Sequence, residues 1–226
     1  MDYDQTPPFD IAQYREMQRS IPGVEGLYRL LGAVGEAFFP LAGRILLVGA
    51  GGGRELEALG GQGKAFSFLA VDPSTKMLAA AKACAAAVGC LERTDFVEGE
   101  VFDVPEAPVF DGATSLLVMH FLPDDGAKLR YLQAIRRRLA PGASYLHADV
   151  CFDGRAQFDR YKPLFLRHAE LAGLSRDQAA LGPDIIAEQP IIGETRSLDL
   201  FREAGFGEVL PCFRGLWYAA WLARAA

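Results

Sequence analysis

The chain has 226 residues, 50% of them hydrophobic, with 23 basic against 29 acidic side chains and a formal net charge of -6. That length buries the core of one α/β domain and leaves room for a small cap, not for a second full domain. The acidic balance works against sequence-independent attraction to nucleic acid phosphates, and no apolar run is long enough to span a bilayer.

In chain order, residues 10–39 are predicted to be helical in two pieces, broken at Pro22 and Gly23. Leu27, Leu30, Leu31, Val34 and Phe38 recur at helical spacing, so the second piece packs one face on a core. Residues 44–48 form a short apolar run ending in glycine, the pattern of a strand buried on both faces. A helix follows from about Arg54, then a strand in FSFLAVD, a helix from Ser74 to Val88 and a strand in TDFVEGEV. DGATSLLVMHF reads as a fourth strand, DGAKLRYLQAIRRRLA as a helix, and ASYLHADV as a fifth strand. Strict alternation of this kind implies right-handed crossovers and a parallel sheet covered by helices on both sides.

Beyond Cys151 the rhythm changes. Residues 153–194 form a polar, helix-prone insertion, after which SLDLFREAGF reads as a helix and GEVLPCFRGLWYAAWLARA as two strands joined near Arg214 and Gly215. The expected organisation is a single domain over 1–226, with an N-terminal helical cap over 1–40 and the insertion completing that cap. Arg136, Arg137 and Arg138 are the one basic run, read as a solvated helix face rather than a phosphate patch. Cys84, Cys90, Cys151 and Cys212 have neither disulfide nor metal spacing, and no metal site is predicted. Reduced thiols, and an opening MDYDQTPPFD without a basic start and apolar run, lead to the expectation of a cytoplasmic protein.

The stretch RILLVGAGGGRELEAL concentrates the chemistry. Open parallel sheets bind ligands beyond the carboxyl ends of their strands, which is where Gly49, Ala50, Gly51, Gly52 and Gly53 fall. Glycines there permit a tight turn and close backbone approach to a ligand, with amides and a helix N-terminus facing its polar end. About twenty residues on, the next strand ends in Asp72, a carboxylate placed to accept from both ribose hydroxyls. Its plainer role is capping the helix near Ser74. A dinucleotide fingerprint fails because Arg54 stands where its last glycine belongs, leaving G-x-G-x-G, which suits the amino acid end of S-adenosylmethionine.

These pieces in order resemble the class I S-adenosylmethionine-dependent methyltransferases. LLVGAGGG is similar to the family's first motif and AVDPSTKML to its second, which implies cofactor contacts from Gly49, Ala50, Gly51, Gly53, Asp72, Pro73 and Met77. FVEGEVFDVP resembles the third, implying that Glu100 and the amide of Val101 address the adenine. FDGATSLLVMHFLPD and RRRLAPGASYLHADV resemble the fourth and fifth, with Leu116 against the cofactor. The resemblance implies a doubly wound, mostly parallel seven-stranded sheet with an antiparallel last strand. It also implies S-adenosyl-L-methionine as cofactor, S-adenosyl-L-homocysteine as product, and a methyltransferase activity.

A narrower likeness joins MQRSIPGVEGLYRLLG and LFREAGFGEVLPCFRGLWYAAWLA to the carboxy-S-adenosylmethionine synthases. Those carry a Tyr where Val24 stands and an Arg where Leu200 stands, so carboxyl transfer remains an alternative alongside methyl transfer and non-catalytic cofactor binding. The first motif also has Leu47 where many members carry an acid, so the ligand's amino group needs another acceptor.

Methyl transfer is largely a matter of alignment, so little of the substrate is readable. His120, after the fourth strand, is the candidate catalytic residue: a general base for the acceptor's proton, or a structural histidine bonded to a loop. His147 and Asp149 share one strand face and read as structural, and His168 as a surface residue. Tyr14, Met17 and Arg19 with Phe158, Tyr161, Phe165 and Arg167 are candidates for a lid, or for plain packing. The expected partner is a small-molecule acceptor; membrane binding is not expected, and tRNA and a homodimer stay open.

Overall fold

The structure, a computed structural model, describes residues 11–226 apart from 62 and 64; the first ten residues of the expected cap lie outside that range. Helices α1 (Ile11–Arg19) and α2 (Val24–Phe38) lead into β1 (Arg44–Val48), α3 (Arg54–Gly60), β2 (Ser67–Asp72), α4 (Thr75–Ala87) and β3 (Thr94–Glu98). Then come β4 (Phe110–Leu116), α5 (Ala127–Arg138), β5 (Leu139–Val150), α6 (Gly154–Leu171), α7 (Arg176–Ala187), α8 (Glu194–Glu203), β6 (Phe206–Gly215) and β7 (Tyr218–Ala225).

The strands form one seven-stranded sheet in the order β3-β2-β1-β4-β5-β7-β6. Neighbours run parallel from β3 to β5, while β7 runs antiparallel to both β5 and β6, as expected for a closing hairpin slotted beside β5. Strand order reverses between β1 and β4, so ligands are expected above the carboxyl ends of these strands.

Alternation splits each central strand between two cores. Ile45 and Leu47 of β1 pack with Leu27, Leu31, Leu56 and Leu59 on one face. Leu46 and Val48 pack with Leu132, Ile135 and Phe201 on the other. Each such side chain removed from water contributes about 1.5–3 kcal/mol, which is why β1 has no polar residue between Ile45 and Val48.

The insertion is tied to the sheet by Trp217, in the β6–β7 turn, against which Phe158 and Phe165 of α6 both stack with ring centroids 5.2 and 5.1 Å away. His168 is no free surface residue: its Nδ1 bonds Ser20 O at 3.0 Å, fastening α6 to the α1–α2 junction. Arg138 also departs from expectation. It is buried, donating through Nε to Val104 O and through Nη1 to Ala134 O at 2.8 Å each, while Arg136 and Arg137 bond Gly205 O and Glu106. These side chains tie α5 to the stretch around Val104 and Glu106 that precedes it and to Gly205 ahead of β6.

β4 is shorter than its sequence suggests. It ends at Leu116, Leu117 takes a left-handed φ of 63°, and Met119–Phe121 form a single 3-10 turn. β5 starts earlier than expected, at Leu139.

Candidate active site

A cavity of about 290 Å³ lies over the carboxyl ends of β1, β2, β4 and β5. Gly49, Gly51, Asp72, Pro73, Met77, Leu116 and His120 line its floor, and Tyr14, Met17, Gln18 and Ile21 with Phe165, Ile185 and Ile186 form the roof. The sequence thus brings most of its predicted site residues to one place.

The glycine loop is pinned by its own backbone. Gly49 N and Ala50 N both donate to Val71 O, at 2.9 and 3.1 Å, and Gly53 N donates to Ala50 O. Gly51 N donates to Asp72 Oδ2 at 2.8 Å, while Ser74 N donates to Asp72 Oδ1 at 2.9 Å. The expectation that these amides face a ligand is corrected here: they are used in holding the turn. Asp72 also lines the cavity. Nor is Asp72 the helix cap; that role falls to Ser74, whose Oγ accepts from Met77 N at 3.1 Å.

The glycines answer different needs. A Cβ on Gly49 would lie 2.3 Å from Val118 Cγ2, and one on Gly53 would meet Ala81 Cα at 3.0 Å, so protein excludes side chains there. At Gly51, with φ of 49°, a Cβ would meet only Gly49 O and Tyr14 Oη at 3.8 Å. Gly51 is therefore the glycine whose missing side chain is open to the cavity.

Four predicted cofactor residues do not line the cavity. Ala50 is packed in the core and Gly53 caps α3. Val101 is buried in the core, and Glu100 is exposed beside a 3-10 turn, its amide donating to Asp103 Oδ2 at 2.8 Å. Glu100 follows Gly99, whose φ is 150°, and is not one of the residues lining the cavity.

At the other end, His120 Nδ1 lies 2.5 Å from Asp149 Oδ1, which also accepts from Val150 N at 2.8 Å. Burial raises the Asp149 carboxyl, but His120, His147 and Lys128 outweigh it and leave it below the usual carboxylate range. Asp149 is then acceptor only, so the shared proton belongs to Nδ1 and the imidazole lone pair to Nε2. Tyr145 Oη lies 2.9 Å from His147 Nδ1, and His147 Nε2 is 3.9 Å from Asp149 Oδ2. Burial pushes the His147 imidazole down to about 4. Asp149 was expected to be structural; instead it orients the candidate base.

Two further residues at the site carry no sequence signal of their own. Glu55, buried at the start of α3, has its carboxyl pushed up to about 8 by burial, against its own amide and Arg54 and with Asp72 adding to the push. Gln18, only 6% exposed, donates from Nε2 to Tyr14 Oη at 3.0 Å, and its Oε1 finds no partner among the described residues. Of the expected lid, Tyr14, Met17 and Phe165 reach the cavity, Phe158 only packs, and Arg19 and Arg167 are exposed.

Among the described residues there is no grouping of three or more His, Cys, Asp or Glu side chains fit to hold a metal, and no helix long and apolar enough to cross a membrane. The cavity does suit a nucleoside sulfonium. Gly51 leaves room, Asp72 can accept from sugar hydroxyls, and the unpaired Gln18 oxygen requires a donor.

A doubly wound sheet with an antiparallel closing strand, a glycine turn and a carboxylate at the next strand end define a Rossmann-like fold. Residues 45–142 match the Methyltransferase domain family. That stretch, from β1 to the start of β5, carries the glycine turn and Asp72 and is similar to a methyltransferase domain, a class whose cofactor is S-adenosylmethionine. An uncharacterized protein of Synechococcus is 28% identical over 179 residues, 77% of this chain and 42% of that protein. An O-methyltransferase family protein of Burkholderia thailandensis shares the fold at TM-score 0.67 and 14% identity, over 89% of this chain and 56% of its own. The same organism's 1,6-didemethyltoxoflavin-N1-methyltransferase, solved with its acceptor and S-adenosylhomocysteine, gives TM-score 0.59 and 21% identity over 88% and 78% of the two chains. The chain thus spans about half the length of the first two relatives. Nothing in these likenesses singles out the carboxy-S-adenosylmethionine synthases, and Leu200, where they carry an Arg, is fully buried against Phe201 and the sheet.

Proposed function

We propose that the protein transfers a methyl group from S-adenosylmethionine to a small, largely apolar acceptor bearing a hydroxyl or NH group. The observation that carries this reading is His120, bonded from behind by the buried Asp149, in the same roofed cavity as Gly51 and Asp72. When bound, the cofactor supplies an electrophilic methyl on its sulfonium. Gly51 gives its sugar and tail room, and Asp72 accepts from the ribose hydroxyls. Met77, Pro73 and Leu116 offer apolar contact. His120 takes the acceptor's proton at Nε2, and Asp149, bonded to Nδ1, stabilises the resulting imidazolium; a positioned base of this kind is worth about 10²–10⁴ in rate.

A small acceptor is favoured over tRNA because α1 and α7 roof the site with apolar side chains and the chain is acidic. The test is incubation with methyl-labelled S-adenosylmethionine and a panel of small phenols, hydroxy-heterocycles and amines beside bulk tRNA, using wild type and His120→Ala. Label on a small acceptor, lost in the variant, is expected. Label on tRNA alone, or a carboxylated sulfonium among ligands carried through purification, contradicts the proposal.

A further inference from the structure

The glycine turn offers the cofactor's amino group backbone carbonyls, such as those of Val48 and Gly49, but no side-chain acceptor. Leu47 is fully buried in the core, and the amides of Gly49, Ala50, Gly51 and Gly53 are donors already bonded within the turn. The element that covers this end of the cavity is α1. Tyr14 Oη stands over Gly51, 3.8 Å from where a Cβ would be, and Arg15 Nη2 reaches Gly52 O at 3.5 Å. Gln18, one helical turn further along α1, is fixed from its Nε2 onto Tyr14 Oη. The residue is one of those lining the same cavity, and its Oε1 is buried without a partner among the described residues, the side chain being more than nine-tenths buried. A buried acceptor left open costs about 1–3 kcal/mol unless a ligand meets it, so a donor is expected there.

We propose that Gln18 Oε1 receives the ammonium group of the cofactor's amino acid end, making α1 a part of the cofactor site and not only a roof for the acceptor. The proposal rests on the methyltransferase reading above. Its chemistry is consistent with the surroundings: the Asp72 carboxylate, which acts on Tyr14, makes this end of the cavity favourable to a cation. Arg54 is occupied elsewhere, paired with Glu25 at 2.8 Å and lying over the Tyr28 ring. Gln18 belongs to this end and not to the acceptor's because its anchor, Tyr14, sits on Gly51.

The amide could be turned so that its NH2 faced the cavity, in which case it would suit the cofactor's carboxylate instead. Glutamate separates the two, since it offers acceptors only. Calorimetric titrations with S-adenosylhomocysteine and with 5′-methylthioadenosine, which keeps the nucleoside and sulfur but lacks the amino acid end, are compared for wild type, Gln18→Leu and Gln18→Glu. Gln18→Leu is expected to bind S-adenosylhomocysteine about tenfold more weakly, as for loss of a charge-assisted bond, with 5′-methylthioadenosine within about twofold of wild type. Gln18→Glu is expected to match or exceed wild type for S-adenosylhomocysteine. Equal effects on both ligands, no effect of Gln18→Leu, or strong weakening in Gln18→Glu overturns the proposal while leaving the methyltransferase reading intact. Wild type that binds neither ligand overturns both. Should Gln18→Leu not fold, the Gln18→Glu titration alone decides.

Discussion

The floor and the roof of the cavity are built on opposite plans. On the floor, backbone does the positioning: Gly49, Ala50 and Gly51 are held by Val71 O and Asp72, and the strand ends fix Asp72 and Leu116 within a parallel sheet. The roof is side chains from α1, α6 and α7, apolar except near Tyr14, Gln18 and Gln189, joined to the sheet through Trp217 and held together by His168. A floor held by main-chain bonds changes little with sequence and suits a common ligand. A roof of packed side chains can be repacked to choose an acceptor.

Breaking the floor's chemistry should produce the largest effect. His120→Ala is expected to lower the rate of methyl transfer by about 10²–10⁴ while leaving S-adenosylhomocysteine affinity within about twofold. Asp149→Asn is expected to cost less, and to shift the rate's pH profile, because the amide no longer stabilises a protonated His120. A variant with wild-type rate at either position removes the pair from the mechanism.

Next comes the cofactor end. Asp72→Ala should weaken S-adenosylhomocysteine binding by about 1.5–3 kcal/mol, as for loss of charge-assisted hydrogen bonds. Because Asp72 also receives Gly51 N and Ser74 N, the variant should melt measurably earlier, unlike a residue that only touches ligand. Gly51→Val should bind worse still, since a branched side chain enters the cavity at a left-handed position. Unchanged affinity in calorimetry for either variant would detach the loop from the site.

The roof should respond differently. Ile185→Ala, at a half-buried lining position, is expected to alter relative rates among acceptors, by roughly 10-fold or less for one lost hydrophobic contact, with cofactor affinity preserved. A change in cofactor affinity as large as that from Asp72→Ala would erase the distinction between floor and roof.

The smallest effect expected is on stability against pH. The folded His147 titrates near 4 and the unfolded one near 6.5, so between these values the unfolded chain binds more protons and stability falls as pH drops. His147→Gln should flatten that fall in a series of melting curves between about pH 6.5 and 4. An unaltered slope would show that His147 is not held neutral.

What was legible in the sequence divides along the same line. The parallel sheet, the glycine turn and Asp72 follow from short continuous apolar runs and local turn chemistry, both written in stretches such as RILLVGAGGG and FLAVD. The end of β4 was not legible, because LLVMHF is as apolar as a strand and nothing in it announces the left-handed Leu117. The Asp149–His120 contact joins residues 29 apart on neighbouring elements, and the burial of Arg138 depends on carbonyls of Phe102 and Val104 far away in sequence. Gln18 carries no sequence signal, because its burial depends on α1 folding over Gly51. Pairings of this kind are set by tertiary packing and leave no local pattern.

The central claim is that the floor binds S-adenosylmethionine and its product. Thermal denaturation of the wild-type protein with S-adenosylhomocysteine, S-adenosylmethionine and NAD in parallel tests it most directly. Ligand at 100 times its dissociation constant adds about 2.7 kcal/mol, which in a chain of this size corresponds to a rise of roughly 5–10 °C in Tm. Such a rise with the two S-adenosyl compounds and none with NAD is the expected result; no rise with either S-adenosyl compound at millimolar concentration, or a rise with NAD alone, contradicts it.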